Sequence, residues 1–218
     1  MSAAPIIFRD AEGREGELAP SMLVLRNVPL PVILRPLRPF SDKELLAFCS
    51  ENEIPRIERT AEGDLILMTP AGTRTSNKEN YIARELDIWT DREGNGVAFN
   101  SNIGIVFPDL TLKVPDAAWL SRAAWNGLTD EQKDGFLPVC PEFVVELRSP
   151  SDRISQIEAK MEFWMSRGVQ LGWLIDPQRK LAMIYRLGRE PETLLNPEFL
   201  DGEGPIAGFR LKMQRLWE

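Results

Sequence analysis

The sequence predicts an α/β fold, because segments with the two-residue period of strands alternate with segments whose apolar residues recur at helical spacing. Of the 218 residues, 43% are hydrophobic and 27% are charged, as in soluble folded proteins. No apolar run approaches the ~20 residues that a membrane helix needs. The N-terminus shows no signal-peptide pattern, so we expect a cytoplasmic protein that makes no membrane contact.

Residues 1–39 predict an extended arm. The stretch "AEGREGELAP" is rich in Gly and Glu, and "VPLPVILRPLRP" carries prolines that disfavour helices and central strands. The remaining residues, 40–218, are enough for one globular domain. We expect the arm to pack on this domain or on the second subunit of a homodimer.

The first part of the domain predicts a helix, a hairpin and a second helix. Ser41 and Glu44 have the spacing of a capping box at the start of a short helix. The segment 54–70, "IPRIERTAEGDLILMTP", predicts two strands around the turn "AEG". The segment 75–94 has apolar residues at helical spacing and ends at Gly94, a residue typical of helix C-termini.

The middle of the chain predicts more strands. Two strands are expected near 97–106 and 110–118, joined by a tight turn in "FPDL". An amphipathic segment, 119–139, follows, with a short helix that begins near Thr129. The segment 141–147, "PEFVVEL", has the continuous apolar pattern of a buried strand.

The last part begins with a helix in "SPSDRISQIEAKMEFWMSRG". Ser149 is expected to cap it, Pro150 suits the first helical position, Asp152 completes a capping box and Gly168 ends it. Two strands, "VQLGWLIDP" and "KLAMIYRL", come next. The tail is expected to be mostly loop, with one strand near "GFRLKM".

The chain contains no histidine, which restricts its chemistry. Ser-His-Asp and Cys-His catalysis and imidazole metal sites are therefore excluded. Cys49 and Cys140, which are far apart in sequence, predict neither a disulfide framework nor a zinc site. The net charge of −7 argues against broad adhesion to nucleic acid, although acids that hold a divalent cation also contribute to it.

Two acids interrupt apolar sequence at predicted strand ends. Asp116 ends one strand, and Glu146 lies near the end of a strand that runs directly into a helix. If the strands are neighbours, the carboxylates repel each other unless a cation lies between them, and Mg²⁺ or Mn²⁺ prefers such oxygen ligands. Lys160 lies at the edge of the apolar face of the following helix, so its amine could reach the same acids and stabilise developing charge.

These residues lie in the run "VPDAAWLSRAAWNGLTDEQKDGFLPVCPEFVVELRSPSDRISQIEAKMEFWMSRGVQLGWLIDP", which resembles the Uma-type putative restriction-endonuclease family of the PD-(D/E)XK nuclease superfamily. The resemblance implies a restriction-endonuclease-like core, a mixed β-sheet flanked by helices, and Mg²⁺- or Mn²⁺-dependent hydrolysis of DNA. It implies that Asp116 and Glu146 are metal ligands and that Lys160 is the catalytic lysine, displaced onto the helix. Glu58 matches a further family acid, a possible ligand or water-positioning group.

The chain departs from the family pattern at two positions. Arg148 stands where the superfamily has a lysine two residues after the acid, and arginine stays protonated, so it cannot act as a base. Glu79 stands where many members carry His or Asn. Pro-Asp occurs twice, but the family places its metal-binding Asp before "AAW", which selects Asp116 and leaves Asp109 in a turn.

Other interpretations remain open for the same residues. Asp116 could simply accept hydrogen bonds from backbone amides, Lys160 could be a solvated lysine, and Glu58 and Glu79 could be surface acids. The aromatic side chains expected to pack in the core or at a subunit interface are Trp89, Trp119, Trp125, Trp164 and Trp173. The whole protein could be a nuclease-derived binding or assembly module without catalysis. A sugar hydrolase would instead need two acids that flank a cleft.

Overall fold

The computed structural model describes residues 6–9, 15–18, 31–52, 54 and 56–218. The chain divides into two compact units, each assembled from separate stretches. The first consists of the chain up to Pro70, Gly104–Val114 and Thr129–Val139; the second consists of Ala71–Ile103, Pro115–Leu128 and Cys140–Glu218. Most of the predicted arm lies outside the described residues, and the boundary between 1–39 and 40–218 stays a prediction.

The helices are α1 (Asp42–Glu51), α2 (Thr73–Glu93), α3 (Arg122–Asn126), α4 (Asp130–Lys133), α5 (Ile154–Ser166) and α6 (Gln214–Trp217). The strands are β1 (Ile6–Arg9), β2 (Glu15–Leu18), β3 (Val32–Leu34), β4 (Ile57–Arg59), β5 (Leu65–Leu67), β6 (Gly96–Asn100), β7 (Ile105–Val106), β8 (Leu112–Lys113), β9 (Ala117–Ser121), β10 (Phe143–Leu147), β11 (Leu171–Asp176), β12 (Leu181–Arg186), β13 (Glu192–Leu195), β14 (Phe199–Asp201) and β15 (Arg210–Lys212). None of the helices in the described part of the chain is both long and apolar enough to cross a membrane.

The first unit contains a five-stranded sheet in the order β3-β5-β4-β8-β7. The predicted hairpin is confirmed, because β4 and β5 pair antiparallel and Ile57 lies opposite Leu67. β3 comes from the predicted arm and pairs at the edge of this sheet, a position that suits a proline-rich sequence. β1 and β2, which lie in the predicted extended arm, form a separate antiparallel pair.

Helix α1 begins with the predicted capping box. The Ser41 hydroxyl accepts from the Glu44 backbone N–H, and the Glu44 carboxylate accepts from the Ser41 N–H. Leu45 and Phe48 point into the apolar cluster of the first unit, beside buried side chains of its sheet. The helix is therefore held both at its N-terminus and along its buried face.

The second unit contains a six-stranded mixed sheet in the order β13-β12-β11-β10-β9-β6, in which β10 and β11 are parallel and the other neighbours antiparallel. Helix α2 packs on one face through the predicted apolar stripe and ends at Gly94, whose φ is 66°. Helix α5 packs on β10 to β12. A Cβ at Gly172 would lie 2.4 Å from the Met161 methyl, so glycine permits the close approach of α5.

The predicted antiparallel pairing of the segments 97–106 and 110–118 is confirmed, but the prediction of two unbroken strands is wrong. Each predicted strand is interrupted, so that β6 pairs with β9 in the second unit and β7 pairs with β8 in the first. The first break is a turn in which the Asn100 side chain accepts from the Asn102 N–H. The second break contains Pro115, which has no N–H to donate to a ladder.

The start of the helix after "SPSD" is also corrected. α5 begins at Ile154, because the Asp152 carboxylate accepts from the Ser149 N–H at 2.7 Å and closes a local turn instead of capping the helix. The end at Gly168 is confirmed, with φ at 97°.

The tail is more regular than expected. It contains β13, β14, β15 and α6, and the paired residues Leu200 and Leu211 are buried in the core of the second unit. Cys49 and Cys140 are free, half-buried thiols, and burial raises the pKa of each to about 11.

Candidate active site

Antiparallel pairing of β9 and β10, two inner strands of the six-stranded sheet, brings Asp116 and Glu146 together where β9 begins and β10 ends. Ala117 lies opposite Val145, and the Asp116 N–H donates to the Val145 carbonyl at 3.1 Å. Asp116 therefore immediately precedes β9, and the prediction that it ends a strand is wrong. The two acids still converge, since in an antiparallel pair the start of one strand meets the end of the other.

The alternation of side chains along β10 directs Glu146 toward α5. Val145 and Leu147 belong to the core cluster that includes α2, so the side chain between them points to the opposite face. There the Lys160 ammonium donates to Glu146 Oε2 at 3.0 Å, and the Trp164 indole N–H donates to Oε1 at 2.7 Å. The predicted proximity of Lys160 to this acid is observed.

The Asp116 carboxylate is held by the backbone of the neighbouring strand. It is 6% exposed, and its Oδ2 accepts from the Leu147 N–H at 2.7 Å. The backbone hydrogen bond that the sequence left open as an alternative role is thus present. It does not conflict with cation binding, because each carboxylate oxygen has two lone pairs.

The charges of Asp116, Glu146 and Lys160 favour the binding of a cation beside the two acids. Burial raises the pKa of Glu146 to about 7; the Lys160 ammonium opposes this rise and the negative charge of Asp116 adds to it. Two buried carboxylates face one ammonium, so one negative charge remains uncompensated among these three side chains when both acids are ionised. A bound divalent cation would favour the ionised form of both acids.

The donor set fits a magnesium or manganese ion that retains much of its water. Within the described residues, no group of three or more Asp, Glu, Cys or His side chains is arranged to hold a metal. Asp116 and Glu146 can supply two carboxylates, and Mg²⁺ commonly binds through one or two carboxylates, several waters and substrate phosphate. Both acids are hard oxygen ligands of the kind that this cation prefers.

Glu58 lies in β4 of the first unit and is a buried acid. It is 6% exposed, and its carboxylate accepts from Lys113 Nζ at 2.6 Å and from the Val114 N–H at 3.4 Å. The alternative of a surface acid is therefore wrong. The assignment of Glu58 as a further metal ligand stays a prediction.

Arg148 and Glu79, the two departures from the family pattern, both have partners in the second unit. Arg148 Nη1 donates at 2.7 Å to Asp176, which is fully buried. Glu79 is 8% exposed and accepts from the Ser101 hydroxyl at 3.3 Å. Arg148 therefore pairs with Asp176, while Lys160 is the cationic partner of Glu146.

The first Pro-Asp pair along the chain, Pro108–Asp109, lies in a turn, as predicted. Asp109 accepts from the Thr111 N–H at 3.2 Å, and the Leu110 N–H donates to the Phe107 carbonyl at 3.0 Å. Asp109 is exposed, whereas Asp116 is buried. The two motifs therefore occupy different environments.

Sequence reasoning missed two polar partners, Trp164 and Asp176. Trp164 was assigned to packing, but it follows Lys160 by four residues and so occupies the same helix face. That spacing was the available signal for a second donor to Glu146. The packing assignment is confirmed for Trp89, Trp119 and Trp173, which are buried in the core of the second unit.

Comparison with known proteins agrees with this architecture. A crystal structure of a putative nuclease belonging to DUF820 from Anabaena variabilis matches with a TM-score of 0.66 and 21% sequence identity, over 82% of this chain and 98% of that one. This similarity confirms the predicted fold, a mixed sheet flanked by helices. No significant match to a curated protein was found. Residues 42–214 match Uma2, a family described as "Putative restriction endonuclease". The chain therefore belongs to the Uma2 family of putative restriction endonucleases.

Proposed function

We propose that this protein is a nuclease of the PD-(D/E)XK type that hydrolyses phosphodiester bonds of DNA with Mg²⁺ or Mn²⁺. The observation that carries the proposal is the cluster of two buried acids, Asp116 and Glu146, with the half-buried Lys160, whose ammonium lies 3.0 Å from the Glu146 carboxylate. Membership in a family of putative restriction endonucleases supports nuclease activity in general. The metal and the DNA substrate are inferred from the chemistry of the cluster.

Each residue of the cluster has a distinct role in this proposal. Asp116 and Glu146 would hold the cation, and the Leu147 N–H keeps the Asp116 carboxylate oriented. When bound, the cation supplies Lewis-acid chemistry, neutralising charge at the phosphate and lowering the pKa of water. The Lys160 ammonium can donate a hydrogen bond to a phosphate oxygen and stabilise the charge that develops there.

The hydrolysis itself follows from these roles. A water oxygen attacks phosphorus in line with the departing sugar oxygen and releases one proton to solvent water, while the sugar oxygen takes up one proton from solvent water as its bond to phosphorus breaks. Arg148 supplies no base in this scheme, because a guanidinium stays protonated and its Nη1 is held by Asp176. We also propose that the protein is a cytoplasmic homodimer and that residues 40–218 form its nuclease domain.

A second candidate function is a binding or assembly module derived from a nuclease. The observation that favours it is Arg148, which replaces the lysine of the superfamily pattern and is held by Asp176 instead of approaching Glu146. In this case the acids retain their positions but the chain does not cleave DNA.

Cleavage of plasmid and oligonucleotide DNA with Mg²⁺ or Mn²⁺ tests the proposal. We expect activity in the wild type and its loss in Asp116→Asn, Glu146→Gln and Lys160→Met. Asp109→Asn is the matched control, since it changes the other Pro-Asp pair in an exposed turn and should retain activity. Equal cleavage by all variants would identify a contaminant and refute the proposal. DNA binding without cleavage in the wild type would favour the binding module.

A further inference from the structure

The indole of Trp164 contacts the Glu146 carboxylate directly. Its N–H donates to Oε1 at 2.7 Å, a short distance for such a bond. Trp164 is fully buried and Glu146 is 3% exposed. Water therefore has little access to replace this donor if it is removed, and a buried carboxylate oxygen that loses its partner is costly.

This hydrogen bond is not a general consequence of burying tryptophan in the second unit. The indole N–H groups of Trp89, Trp119 and Trp173 are buried, and the described residues provide none of them with an acceptor. The fold thus accommodates a buried indole N–H without a partner at three positions. The contact between Trp164 and an acid is a specific arrangement of α5 against β10.

Trp164 and Lys160 each donate a hydrogen bond to a different oxygen of the Glu146 carboxylate. They lie one turn apart on α5, and Trp164 donates to Oε1 while Lys160 donates to Oε2. The indole is neutral and rigid, so it fixes the plane of the carboxylate without cancelling its charge. The Lys160 side chain is 18% exposed and ends a flexible stem, so it can move away from Oε2.

We infer that Trp164 is a positioning residue of the cation site, which holds Glu146 through Oε1 and leaves Oε2 for a divalent cation. This inference rests on the proposed function, because it requires that Asp116 and Glu146 bind a metal. Partners that orient a metal ligand typically change metal affinity 10- to 100-fold when they are removed. Trp164 has this role although it touches neither substrate nor cation.

Mn²⁺ affinity, measured by electron paramagnetic resonance of the free ion, tests the inference without any cleavage assay. Trp164→Phe should bind Mn²⁺ about tenfold more weakly or worse. Trp173→Phe is the matched control, because that indole is equally buried but its N–H has no acceptor among the described residues. Its Mn²⁺ affinity should stay within about twofold of the wild-type value, if only packing changes.

A second replacement keeps the test decisive if Trp164→Phe does not fold. 3-Benzothienylalanine in place of Trp164 preserves the shape of the indole and removes only the N–H, so it should weaken Mn²⁺ binding to the same extent. Equal affinity in this protein and the wild type would overturn the positioning role and leave the proposed function intact. Absence of Mn²⁺ binding by the wild type would overturn both.

Nuclear magnetic resonance of the metal-free protein tests the Trp164–Glu146 hydrogen bond independently of the proposed function. In ¹⁵N-labelled protein with a chelator present, the Trp164 indole resonance should shift in Glu146→Gln by more than the Trp173 resonance does. An unchanged Trp164 resonance would show that the hydrogen bond does not form in solution.

Discussion

Ionisation of Glu146 should destabilise the metal-free protein as the pH rises through 7. The folded protein holds a proton on this carboxyl up to about pH 7, because burial raises its pKa, whereas an unfolded chain releases it near 4.5. Between these values the folded state binds more protons, and the free energy of unfolding therefore decreases as the pH increases. Below the lower value and above the upper one, this residue contributes no pH dependence.

The size of the effect follows from the difference between the two pKa values. A shift from 4.5 to about 7 corresponds to about 3 kcal/mol of stability, lost across that interval. For a urea dependence of about 2–3 kcal/mol per molar, the unfolding midpoint falls by about 1 M. Divalent cation added at pH 8.5 should reverse most of this loss, since a concentration of 100 Kd stabilises by about 2.7 kcal/mol.

Tryptophan fluorescence is a suitable assay, because all six tryptophans belong to the second unit, which contains Glu146. Urea unfolding with a chelator, from pH 4.5 to 8.5, should be compared in the wild type and Glu146→Gln. The difference between the two free energies cancels the other titrating groups and should change by about 3 kcal/mol. Parallel stability curves for the two proteins would refute the reasoning.

Three further substitutions test other parts of the structure. Lys160→Met should abolish cleavage and raise Mn²⁺ affinity several-fold, measured by electron paramagnetic resonance, because it removes the repulsion between the ammonium and the divalent cation. Unchanged affinity would contradict this expectation. Gly96→Ala should destabilise the second unit by about 1–3 kcal/mol in urea, since the added Cβ would lie 2.3 Å from the Trp119 ring, and wild-type stability would show that the ring can move. Ser41→Ala should lower the free energy of unfolding by about 1 kcal/mol, measured by circular dichroism, as the hydrogen bond from the Glu44 N–H to the Ser41 hydroxyl disappears, while Ser41→Thr, which keeps the hydroxyl, should not.

Local patterns predicted most of the elements correctly. The capping box at Ser41, the C-cap at Gly94 and the buried strand at β10 depend on interactions within a few residues, which a sequence displays directly. The breaks within the predicted strands near 97–106 and 110–118 depend instead on the sheet that each piece joins, since β6 and β9 belong to the six-stranded sheet and β7 and β8 to the five-stranded one. Membership in one sheet or the other leaves no local pattern, so the sequence predicts the antiparallel pairing of the two segments but not the breaks within them.

The site was predicted in the same partial way. Asp116, Glu146 and Lys160 were selected from their positions and from family resemblance, and the structure places the ammonium of Lys160 on Glu146. The partners Trp164 and Asp176 were missed, because a buried aromatic residue and a strand-end acid each have a common structural explanation. Only the packing of α5 and β11 against β10 shows which polar atoms meet.

The division of the chain between the two units has a consequence for biosynthesis. The backbone passes from one unit to the other five times, so neither unit corresponds to a continuous fragment of the gene. On the ribosome, the first unit lacks its last stretch until Val139 has emerged, and the second waits for the C-terminus. A polypeptide of half the length would therefore contain neither unit in full.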